Sequence, residues 1–196
     1  MKLIAWVMGA ALGLGVASGA QAEWKPAERI ETYPVSGQTG IELYRSIGEN
    51  GPRLSLGPTI AYTTFDLKWS RKYVPEGGGC RLAQAVPHLT IIYKLPKPSA
   101  KMPPDTQKRW DRFIAGIEAH ERVHGQIILD MVKKIEAMSV GLAVANDPGC
   151  KKIRQELTRR LAALSNEQRQ QSRDFDKTEM SEGGNVHQLV LGLVNG

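Results

Sequence analysis

The residues whose types and spacing could do chemistry are His120-Glu121-Arg122-Val123-His124. Histidines four apart on a helix project from one side, a turn above one another, so both imidazoles can grip a single metal ion. The glutamate beside the first histidine then reaches next to that ion, where it can take a proton from a coordinated water. Zinc suits such a site because it accepts nitrogen and oxygen ligands, lowers the pKa of its water towards about 7 and polarises a carbonyl. This is the chemistry of amide hydrolysis. It makes His120 and His124 candidate metal ligands and Glu121 the candidate catalytic base.

The surrounding sequence has to place the trio in a dry setting, and its periodicity predicts that it does. Wound at about 100° per residue, the segment puts Trp110, Phe113, Ile114, Ile117, Ile128, Met131 and Ile135 on one stripe of a long helix. His124 falls near the middle of that stripe, with His120 and Glu121 on its flanks and Arg122 pointing away. Three titratable groups facing a core need a shared partner, and a metal ion supplies one with a single object. The competing arrangement has two core histidines bonded to neighbours and Glu121 paired with an arginine.

Other elements read more simply. Residues 29–35, 63–69 and 88–93 are β-rich, with Thr63, Phe65, Leu67 and Trp69 on one face, and a short helix fits residues 40–47. A proline-rich stretch, residues 96–104, separates this sheet part (residues 28–95) from a helical part (residues 104–180). After Pro148-Gly149 a second helix carries Ile153, Leu157, Leu161 and Leu164 before turning polar. Residues 174–196 show no clear period and read as a loop-like tail. Strands first and helices after predict an α+β fold, a small antiparallel sheet packed on the two helices in one domain over residues 23–196.

The N-terminus reads as an address. Met1-Lys2 precedes an apolar run to Val16, and Ala20-Gln21-Ala22 fits the small-x-small rule for signal peptidase, so cleavage is expected after Ala22. The mature chain is then periplasmic or secreted, with no stable membrane span. In an oxidising compartment Cys80 and Cys150, each just after a turn, are expected to form a bridge, worth about 4 kcal/mol in the chain-entropy model. Across 196 residues the formal charge is +6, with 41% hydrophobic and 23% charged residues, an ordinary globular composition. Lys133-Lys134, Lys151-Lys152 and Arg159-Arg160 make the helical half basic, which would favour anionic cell-envelope polymers as partners. Export and scarce aromatics (three Phe, five Tyr, four Trp) argue against nucleic acid.

The chain resembles the bacterial family called domain of unknown function 922, described as predicted secreted zinc-dependent proteases. The resemblance rests on Leu95-Pro96 closing a strand, Trp110 and Phe113 ahead of His120-Glu121-x-x-His124, Cys150 opening the next helix, and Phe175-Asp176, and it runs from about Thr32 to Gly184. It implies a zincin-like fold, His120 and His124 as zinc ligands and Glu121 as base. Members carry a Tyr-Asp-x-x-Thr-x-His-Gly-like segment whose histidine is the natural third ligand; here the stretch from Phe175 to Gly184 has none. Glu179, Glu182 and His187 are the substitutes, the two carboxylates ranked ahead of the histidine. His88, on the strand before the helix, reads as a core or surface residue. The expected function is an exported zinc metallopeptidase acting on a peptide or protein along an edge strand at residues 88–93. The alternative is a degenerate envelope binding or scaffold protein, kept because no third histidine is present.

Overall fold

The computed structural model describes residues 24–54 and 57–195, so the expected leader, residues 1–22, lies outside the described residues. In chain order the elements are β1 (Ala27–Val35), α1 (Gly40–Asn50), β2 (Arg53–Leu54), β3 (Gly57–Pro58), β4 (Tyr62–Glu76), β5 (Gly79–Pro98), α2 (Pro104–Ser139), β6 (Ala143–Val144), α3 (Lys152–Met180) and α4 (Asn185–Val194). Among the described residues the fold is mixed α and β, with four helices and a small sheet.

β4 and β5 form a long antiparallel hairpin turned by Gly77 and Gly78, whose φ values of 57° and 77° suit the two-residue turn that matches strand twist. β5 is the central strand. β4 flanks it on one side, β1 pairs with it on the other from Thr90 to Pro98, and β6 touches it at Cys80 and Arg81. The β1–β5 pairing is parallel, which corrects the all-antiparallel expectation. A parallel neighbour needs a long crossover, and the chain supplies one through α1 and β4. The centrality of β5 also corrects the expected edge strand at residues 88–93. Thr90 to Tyr93 is bonded on both sides, and β4 pairs with β5 alone among the described residues.

α2 lays its apolar stripe on the sheet. Trp110, Phe113, Ile117, Ile128, Met131 and Ile135 are buried against Leu89, Ile91, Tyr93 and Leu95 of β5. α1 begins with a capping box, the Thr39 hydroxyl meeting the Glu42 amide while the Glu42 carboxylate meets the Thr39 amide. A second cluster sits at the hairpin tip, where Leu82 and Ala85 pack with Ile153 and Leu157 around the Cys80–Cys150 disulfide, Cα atoms 5.2 Å apart. The expected bridge is present.

The expected loop-like tail is helical instead. α3 continues to Met180, and α4 buries Val186 and Leu193 against the main core. Val186, Leu189, Val190 and Leu193 do follow helical spacing; the run is simply too short to stand out beside the polar residues before it. Gly40 and Gly116 let α4 approach closely, because a Cβ at Gly40 would strike the Leu193 carbonyl and one at Gly116 the Leu189 side chain. Among the described residues no helix is long and apolar enough to cross a membrane.

Candidate metal centre

His120, Glu121 and His124 lie on the buried face of α2, each under a tenth exposed, while Arg122 faces solvent. Below this turn Gly125 lets the Tyr93 ring approach. A Cβ there would stand 2.3 Å from the Tyr93 hydroxyl oxygen. The Tyr93 hydroxyl donates to Glu28, which also receives Arg122. α2 is therefore held to β1 and β5 at the turn that carries the histidines.

The two imidazoles converge on a residue that sequence reasoning did not select. His124 Nε2 lies 2.8 Å from Asp176 Oδ1, His120 Nε2 lies 3.2 Å from the same oxygen, and the two nitrogens are 3.2 Å apart. His120, His124 and Asp176 form the group that could hold a metal ion among the described residues. The donors fit a zinc: ligands at about 2.0–2.1 Å in a tetrahedron stand about 3.3 Å from each other. Hydrogen bonding alone fits less well. If both Nε2 atoms donate to Asp176, two N–H groups face each other; a cation would meet three lone pairs instead.

The remaining contacts orient these donors. Phe175 stacks on the His120 ring at 4.7 Å between centroids and meets His124 edge-on at 5.4 Å. Glu179 Oε2 stands 3.7 Å from His120 Nδ1, a buried nitrogen with no hydrogen bond, and is itself held by the Asn185 amide at the start of α4. The carboxylate lies on the side of the ring where a metal-binding histidine has its outer-shell partner, though at 3.7 Å it stands beyond hydrogen-bond length.

Glu121 points towards β4, where Thr63 Oγ1 donates to its Oε2 at 2.7 Å. Burial pushes its carboxyl above the usual range, against the opposing effects of Thr63 and the two imidazoles. For Asp176 burial is outweighed by the bonds from both histidines, and its carboxyl sits well below the ordinary value. Burial pulls the His120 imidazolium down, but the Asp176 bond and the charges of Glu121, Asp176 and Glu179 leave it above its usual range. The centre thus favours a positive charge beside Asp176.

Of the expected third ligands, Glu179 lies on the Nδ1 side of His120 and does not converge with the Nε2 atoms. Glu182 is exposed beyond the end of α3. His187 Nδ1 accepts from the Gly183 amide and lines a separate pocket beside Tyr44 and Val190. His88 is exposed and lies 2.8 Å from Ser70, away from the centre. Asp176 was missed because the apolar spacing of α3 turns polar after Leu164. Followed on, that face runs through Gln168 and Ser172 to Phe175, Asp176 and Glu179.

The model of the bacterial family of unknown function DUF922 matches residues 30–184. The chain belongs to this family. The match contains α2, the disulfide and the Phe175-Asp176 pair, and so every residue of the centre. Among curated proteins and solved structures, none matches the chain significantly.

The centre opens into a cleft of about 460 Å³ between Thr59 to Thr63 on one side and one face of α3, from Gln168 to Met180, on the other.

Proposed function

We propose that this family member is an exported zinc-dependent peptidase of zincin-like architecture. The observation that carries the reading is the meeting of His120 Nε2, His124 Nε2 and Asp176 Oδ1 at 2.8–3.2 Å, with the buried Glu121 carboxylate lining the same cleft. Those three side chains would hold the ion. When bound, zinc would lower the pKa of a water and polarise a carbonyl oxygen. The rival scaffold reading turns on the missing third histidine; Asp176 offers a carboxylate in its place, an ordinary zinc ligand, which supports the peptidase reading.

The chain's own residues would do the following. An extended substrate would pair with the free side of β4 near Tyr62 and Thr63, which border the cleft. Glu121, raised by burial, would take the proton of the attacking water and return it to the leaving amine. Thr63 would hold the carboxylate in place. Export is supported by the leader-like N-terminus and by a disulfide, which persists in oxidising compartments.

The test is Glu121→Gln. The variant should fold and bind zinc as the wild type does, because Glu121 is not among the converging donors, and hydrolysis of an unstructured peptide should fall about a hundredfold or more. Undiminished cleavage by a well-folded Glu121→Gln protein would remove the mechanism. Absence of chelator-sensitive cleavage by the wild type would remove the peptidase assignment.

A further inference from the structure

Beyond the metal centre, Arg169 and Arg173 are the charged residues lining the cleft among the described residues. They occupy the stripe of α3 that also carries Asp176, three residues beyond Arg173 and seven beyond Arg169. Both are exposed, and their guanidinium partners are neutral neighbours on their own helix. Arg169 bonds Ser165 and Asn166, and Arg173 bonds Gln170. Neither meets a carboxylate among the described residues. Arg122 on α2 and Arg159 and Arg160 on α3 contrast with them, since each engages a glutamate. Two guanidiniums without a carboxylate partner among the described residues thus border the cleft that holds Glu121 and Asp176.

We propose that Arg169 and Arg173 form a carboxylate subsite, so that the cleft selects peptides bearing a negative charge within about three residues of the scissile bond. The proposal rests on the peptidase reading of the same centre. Helix rise sets the register. Arg173 lies about 4.5 Å and Arg169 about 10.5 Å along α3 from Asp176 at 1.5 Å per residue. An extended peptide advances about 3.3 Å per residue, so for a substrate lying alongside α3 the two arginines would stand opposite positions one to three residues from the bond above the candidate metal donors. Guanidinium is the side chain suited to this task, because its fork matches a carboxylate with two parallel hydrogen bonds. The carboxylate could belong to an Asp or Glu side chain or to the peptide's own C-terminus.

Binding and cleavage together test this. Unstructured peptides identical except for Glu or Gln at one position, each made with a free and an amidated C-terminus, are titrated against zinc-loaded Glu121→Gln protein by fluorescence anisotropy. The charged member of a pair should bind about tenfold tighter or better, the scale of a charge-assisted bond, and the preference should shrink as salt is raised. Preference for Glu in amidated peptides identifies a side-chain site; preference confined to the free terminus identifies terminal capture. In an Arg169→Gln/Arg173→Gln background the ratio should fall to within about twofold, and in the matching double Lys background a preference should persist. Equal affinities throughout, a preference indifferent to salt or to the Gln substitutions, or no binding by any peptide would overturn the subsite. Selective binding without any wild-type cleavage would leave the subsite standing and defeat the peptidase reading. Cleavage without selectivity would do the reverse.

Discussion

Asp176 decides whether the centre is a metal site, because two imidazoles alone rarely hold zinc. The mature wild-type chain should carry about one zinc per molecule. Asp176→Ala, His120→Ala and His124→Ala should each abolish stoichiometric binding by elemental analysis after dialysis. Full zinc in Asp176→Ala would exclude the Oδ1 contact as ligation and point back to Glu179, the nearest other carboxylate on His120. At this scale the sequence was most readable where residue type alone carries the chemistry. Histidine four from histidine with an adjacent glutamate is such a pattern, whereas one aspartate on a polar helix face has no local mark.

Helices convert that pattern into a position. α2 can bring its histidines under the sheet because Gly125 leaves room for Tyr93, which is 2% exposed. Gly125→Ala should therefore destabilise the fold by about 1–3 kcal/mol in denaturant melts, despite the better helix propensity of alanine. Little or no loss would show that the ring can move aside. α3 depends on Asp147, whose carboxylate accepts from the Lys151 and Ile153 amides and caps the helix ahead of its first turn. Burial raises the Asp147 carboxyl, but the amide bonds from Ile153, Lys152 and Lys151 outweigh it, and its pKa lies below the ordinary value. A depressed carboxyl stabilises the fold above its unfolded value near 3.9 and loses that contribution as pH falls through the folded one. Asp147→Ala should lower Tm by several degrees at neutral pH, with the gap to wild type closing in acid. A gap constant down to acid pH would show that the carboxylate charge is not what caps α3.

The whole molecule is arranged so that α3 spans from the disulfide to the candidate metal donors. The Cys80–Cys150 bridge fastens the β4–β5 hairpin tip just before the start of α3, and Asp176 stands near the helix's other end. A Cys80→Ser/Cys150→Ser protein should lose about 2–4 kcal/mol of unfolding free energy. Reductant should lower wild-type stability and leave the double variant unchanged, as read by urea melts. Equal stability with and without the bridge would mean that the second core, around Leu82 and Ile153, already holds the hairpin tip to α3. At the far end Asn185 of α4 donates to Glu179, and α4 packs closely on α1 and α2 at Gly40 and Gly116, a duty that the weak periodicity of residues 174–196 does not announce.

Local periodicity and motif chemistry determined the long helix with its buried trio, the three β-rich runs, the short α1 and two cysteines destined for each other. These are short-range properties, set by which face a residue occupies and by the few neighbours it meets along the chain. Tertiary structure decided the rest, because it depends on contacts far apart in sequence. It made β5 central and β4 the edge strand among the described residues, placed β1 parallel, and turned the tail into a packed helix. It also carried Asp176 across 52 positions to His124. A third donor supplied by another helix has no spacing rule relative to the first two; only the packing of α3 on α2 brings it within bonding distance.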